Sequence, residues 1–127
     1  MSILENLRKE LKNKKVELRK YETELEQKTD TFEKLREEFE EKYATDIEGC
    51  LYDPDEEEYD NYVWTCYEIK QAIGDTEEYR DAKERLEYLM DEYIRITEGE
   101  LPRKIERARR DISDIEWKIE RMEGSES

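Results

Sequence analysis

The chain has 127 residues, 48% of them charged and 35% hydrophobic, with a formal net charge of −15. That length predicts one domain, and that composition leaves material for a thin apolar seam rather than a wide core. The absence of His excludes Ser-His and Cys-His nucleophile pairs and His-ligated metals, and the acidity turns the chain away from nucleic acid and anionic lipid and towards basic surfaces.

Ser2 and Glu5 fit a capping box that opens a first helix over about 3–45. No Gly or Pro interrupts Ile3 to Ala44. With Leu4 as heptad position a, the a positions are Leu4, Leu11, Leu18, Leu25, Phe32 and Phe39; the d positions are Leu7, Lys14, Tyr21, Lys28, Leu35 and Lys42. Apolar a positions sustained this long are a coiled-coil signal. The helix would be about 60 Å long, so the rest of the chain or a second copy must cover it.

Residues 46–56 read as loop, because Gly49 breaks the pattern and Pro54 forces Asp53 out of helical geometry. A second helix is predicted over about 55–73. Its stripe is Tyr59, Tyr62, Cys66, Ile69 and Ile73, widened by Val63 and Trp64, and Gly74 fits a left-handed cap. Asp75 is the expected cap of a third helix, which carries Tyr79, Ala82, Leu86, Leu89, Tyr93 and Ile96 and stops at Gly99. A fourth helix over about 102–123 has Pro102 in its first turn and the stripe Leu101, Ile105, Ala108, Ile112, Ile115, Ile119, Met122. Residues 124–127 read as a frayed tail.

Charges select the pairing. Laid antiparallel so that facing core numbers sum to 126, the first and fourth helices place Arg8 by Glu123, Lys15 by Glu116, Glu22 by Arg109, Glu10 by Lys118 and Glu24 by Lys104. Glu17 by Asp111 is the one like-charged mismatch. Such pairs choose orientation and register more than they add stability. The predicted fold is all-α: an elongated antiparallel coiled-coil hairpin of about four helices. Its stalk is the first helix with the fourth, and residues 46–100 form an acidic head.

Chemistry-bearing residues are few. The two cysteines are too sparse for a disulfide framework or a zinc site; Cys66 is expected buried and Cys50 exposed. The run from Asp53 to Asp60 has the oxygen donors of a hard-cation site but not the spacing of a helix-loop-helix calcium loop, so a solvated acidic loop is the expectation and no metal or cofactor is assigned. No enzymatic activity is expected, nor any membrane span. A cytoplasmic setting with free thiols is the expectation.

What remains is the segregation of charge. Residues 46–100 carry 5 basic and 19 acidic side chains, against 11 and 12 in residues 1–45. The candidate binding face comprises Asp53, Asp55, Glu56, Glu57, Glu58 and Asp60, with Glu77, Glu78, Asp81, Glu84, Glu87, Asp91 and Glu92 on the third helix. Helical carboxylates three or four apart sit about 5–6 Å from one another, near the spacing of phosphates along a strand. Tyr52, Trp64, Tyr67 and Tyr88 are the candidate aromatic anchors. The pattern points to a binding module for a basic protein surface. One form of it is a nucleic-acid mimic that blocks a DNA- or RNA-binding protein such as a host-defence nuclease. The alternative is a coiled-coil adaptor, monomer or homodimer, whose charge serves only solubility.

Overall fold

The computed structural model describes residues 2–51 and 56–126, with side chains described over 2–51 and 60–124. The protein is all-α. Its helices are α1 (Ile3–Tyr43), α2 (Glu48–Leu51), α3 (Glu56–Ile73), α4 (Glu77–Glu98) and α5 (Glu100–Glu126), and no strand occurs among the described residues. No described helix is long and apolar enough to cross a membrane. The chain divides into two compact units, residues 1–27 with 98–127 and residues 28–97, and α1 contributes to both.

In the first unit α1 and α5 lie antiparallel. Ser2 Oγ accepts the Glu5 N–H at 3.1 Å and starts α1. Ile105, Ala108, Ile115 and Ile119 of α5 are buried, and Leu4, Leu7, Leu11, Leu18, Tyr21 and Leu25 of α1 are half-buried. The register is fixed at the flanks by Arg8–Glu123 at 2.7 Å, Lys15–Glu116 at 3.6 Å and Glu22–Arg109 at 3.8 Å, three of the five opposite-charge pairs the charge pattern predicts. The like-charged Glu17 and Asp111 share a cation: Lys14 Nζ lies 3.6 Å from the first and 3.4 Å from the second. The field of Glu17 and the bond to Asp111 raise the Lys14 pKa above its ordinary value. A lysine at a seam position is thereby accommodated, with its head drawn out to the rim.

The second unit is built from the C-terminal part of α1 with α2, α3 and α4. Phe32, Phe39, Tyr43, Ile47, Leu51, Cys66, Ile69, Ala82, Leu86 and Leu89 form one buried cluster. The rings of Phe32 and Tyr93 meet at 5.9 Å, and Leu35, Phe39 and Lys42 line a groove with Leu89, Tyr88 and Arg85, so α4 runs antiparallel to α1. Tyr62 bonds Glu87, and Lys70 lies 5.8 Å above the Tyr79 ring, so α3 runs antiparallel to α4.

The boundaries depart from expectation at four points. α1 stops at Tyr43 because Ala44 turns left-handed (φ 49°) and the Thr45 N–H reaches back to the Glu40 carbonyl at 3.1 Å, a Schellman closure made without glycine. Part of the expected loop is a helical turn, α2, whose Cys50 and Leu51 are 4% and 7% exposed, and Ile47 just before it is 0% exposed. The Glu40 carboxylate accepts the Ile47 N–H at 3.2 Å, and Asp46 accepts that of Glu48 at 2.9 Å. Cys50 is therefore buried, not exposed, with Sγ 3.3 Å from Thr65 Oγ1. α4 is capped by Thr76 rather than Asp75, its Oγ1 accepting the Tyr79 N–H at 3.3 Å. α5 continues through Gly124 to Glu126. Gly74 takes the left-handed cap (φ 80°) that its position after Ile73 predicts.

Candidate interaction faces

Tyr52, Asp53 and Asp55 lie outside the described residues. Glu56, Glu57 and Glu58 form the first turn of α3, and their side chains also lie outside the described set. On α4, Glu77, Glu78, Asp81, Glu84, Glu87 and Asp91 are exposed and Glu92 is half-buried. They do not make an uninterrupted row of charge. Glu87 accepts the Tyr62 hydroxyl at 2.7 Å and Glu92 accepts Arg95 at 3.0 Å. Arg80, Lys83, Arg85 and Arg95 stand on the same helix. The phosphate-like ladder expected from spacing alone is interleaved with cations.

The outward face of α3 is different in kind. Trp64 and Tyr67 are 61% and 51% exposed. Their rings stack at 5.7 Å with planes 29° apart, and the indole N–H donates to Glu68 Oε1 at 2.8 Å. Asp60, Trp64, Tyr67 and Gln71 are all exposed and follow one another at steps of four, three and four, the spacing of one helix face. α3 has one basic residue, Lys70, and its ammonium lies over the Tyr79 ring. The face thus combines carboxylates with π surfaces and carries no cation of its own.

Val63 and Trp64 were expected to widen the core stripe; Val63 is 47% exposed, and both stand outside it. The reason is the position of α2. Cys66 and Ile69 already join the buried cluster, and the flank beside them is taken by Thr65, 5% exposed and bonded to Cys50. Trp64 is left on the solvent side.

The structure brings Trp64 and Tyr67 together but sets Tyr88 elsewhere. Tyr88 is 54% exposed and lines the groove between α1 and α4, about 360 Å³, with Leu35, Phe39 and Leu89. Leu35, expected in the seam, is 37% exposed there.

Burial pushes the Cys66 thiol above its ordinary pKa, against a smaller opposing effect of Tyr62. Burial and then the bond to Glu87 raise the Tyr62 phenol likewise. Both groups hold their protons at neutral pH, the reverse of an activated nucleophile. Among the described residues no three His, Cys, Asp or Glu side chains converge as a metal site. Comparison with protein-family models, with curated proteins and with solved structures finds no match, so the functional reading rests on these faces.

Proposed function

We propose that the chain is a non-enzymatic protein-binding module: a coiled-coil hairpin of α1 and α5 whose acidic head, the second unit, engages a basic partner surface in the cytoplasm. The observation that carries this is the outward face of α3. Trp64 and Tyr67 offer stacked rings on which a guanidinium or ammonium gains a cation–π attraction of about 0.5–1 kcal/mol at an exposed site. Asp60 and Glu68 flank them as acceptors, and Arg forms charge-assisted bonds with such carboxylates. Residues 28–97 hold 23 acidic and 9 basic side chains, a field that steers a basic partner to this unit.

A nucleic-acid-binding protein is one such partner, its basic groove accepting carboxylates in place of phosphates. The cations on α4 weigh against mimicry of a regular phosphate row; the α3 face supports recognition of individual Arg or Lys side chains.

Calorimetric titration with a nona-arginine peptide tests the reading. Trp64→Ala with Tyr67→Ala, and separately Asp60→Lys with Glu68→Lys, should each weaken binding at least about tenfold, the scale of an interface anchor. Reversal of Glu106 on α5 to Lys should change it little. Equal affinity of all three variants with the native protein would sink the proposal.

A further inference from the structure

The outward face of α5 is the complement of that on α3. Arg103, Arg107, Arg110, Trp117 and Arg121 are all exposed. They recur at steps of four, three, seven and four, one face of the helix, opposite the buried stripe of Ile105, Ala108, Ile115 and Ile119. Trp117 is 57% exposed, with the Arg121 guanidinium 5.1 Å from its ring centroid. Arg110 reaches Glu106 at 2.7 Å, and Asp114 is the one acid in the row. Arg103 and Arg107 enter no ion pair among the described residues. Exposed Trp and Arg on one face are the residue types that dominate binding energy at interfaces.

We propose that this face of α5 docks a second copy of the chain through that copy's α3 face; the inference rests on the reading of α3 as a receptor for cationic side chains. The match is of two kinds. Asp60 and Glu68 supply carboxylates for the arginines of α5, and Trp64 and Tyr67 supply rings over which a guanidinium can lie. The net charge of −15 opposes self-association, and its distribution selects the geometry. Residues 28–97 carry −14, while residues 1–27 with 98–127 hold 14 basic and 15 acidic side chains. Docking α3 on α5 sets a strongly acidic unit against a nearly neutral one, whereas any contact between two acidic units is repulsive. At physiological salt, charges beyond about 8 Å are screened, so the local pairs decide.

Such a contact joins two unlike faces. Each copy carries one face of each kind, so two copies can pair both faces reciprocally, or association can continue into a ring or an open chain. It also covers Trp64 and Tyr67, which makes self-association and capture of a basic partner mutually exclusive.

Sedimentation velocity from micromolar to near-millimolar protein at physiological salt tests this. The native chain should self-associate with rising concentration. Arg103→Glu with Arg107→Glu should weaken association at least about tenfold, as should Trp64→Ala with Tyr67→Ala; all four sites are exposed, and Trp117→Ala, judged by the same loss, serves as a second α5 variant. An equimolar mixture of the two double variants should associate again but stop at a dimer, because only one competent pair of faces remains. A native chain that stays monomeric, whether or not a single-stranded oligonucleotide binds the α5 face, overturns the proposal, as does undiminished association of the variants. The α5 variant keeps the α3 face intact, so its affinity for nona-arginine separates the two readings. Peptide binding with a monomeric native chain removes only the self-association.

Discussion

Ala44 occupies a conformation that suits glycine, so replacing it with glycine should stabilise the protein. Its φ of 49° lies in the left-handed region, where an L side chain costs about 1–2 kcal/mol. Glycine in the unfolded chain has more freedom to lose, which returns about 0.4–1 kcal/mol. The net expectation for Ala44→Gly is a gain of about 0.5–1 kcal/mol, or about 2–4 °C in Tm for a chain of this size. Gly74→Ala should have the opposite sign. Gly74 has φ 80°, and an added Cβ would meet only Thr76 Cγ2 at an ordinary 3.9 Å, so the loss is conformational and about 1 kcal/mol. Gly124→Ala is the control: nothing lies within 4 Å of its Cβ, and in a helix alanine is favoured by at most about 1 kcal/mol. Thermal and urea denaturation followed by circular dichroism would read all three. A lower midpoint for Ala44→Gly, or none lost with Gly74→Ala, would show that α1 and α3 do not close through left-handed residues.

Three further outcomes follow from the second unit. Ile47→Ala removes a fully buried side chain and should cost about 2–5 kcal/mol in denaturant titration; a cost typical of a surface loop would mean that α2 is not packed into the core. Tyr43→Phe should be neutral or stabilising by about 1 kcal/mol, since the buried Tyr43 hydroxyl has no hydrogen-bond partner among the described residues and an unsatisfied buried group is costly; a clear loss would reveal a partner. Stability should decline at alkaline pH. Cys66 and Tyr62 have raised pKa values in the folded state, so above about 8.5 for the thiol and about 10 for the phenol the unfolded chain releases protons that the folded one keeps. Cys66→Ala should remove the earlier part of that decline, and an unchanged profile would refute its burial.

Much of the helical plan is legible in the residues because it depends on periodicity and charge. The stripe on α5 and the three flanking pairs with α1 follow from spacing, and Gly74 marks its own cap. The misreadings share a cause: they depend on which of two adjacent residues faces a neighbour. Val63 and Trp64 sit beside the stripe of α3, and only the presence of α2 decides that Thr65 goes inward and Trp64 outward. α2 itself had a signal, Ile47, Cys50 and Leu51 at helical spacing, masked by Gly49 and by the proline that follows. Arg80, Lys83, Arg85 and Arg95 share the helix of the α4 acids, and periodicity alone does not show how closely the two signs interleave. The pairing of Trp64 with Tyr67 was available from the step of three between them; the bond to Glu68 and the isolation of Tyr88 in another groove required coordinates.

Because α1 belongs to two units, the order in which the protein can be assembled is constrained. Residues 28–97 are contiguous and can pack as soon as they leave the ribosome, and their pairings span modest sequence distances. The first unit joins the two ends of the chain: Arg8 and Glu123 are separated by 115 positions. Leu4, Leu7, Leu11, Leu18 and Leu25 must therefore wait uncovered until α5 has been made, and contacts of such long range are slow to form. A stop codon anywhere before α5 would leave that leucine row permanently bare, turning a truncated product into a substrate for chaperones or for unintended coiled-coil partners.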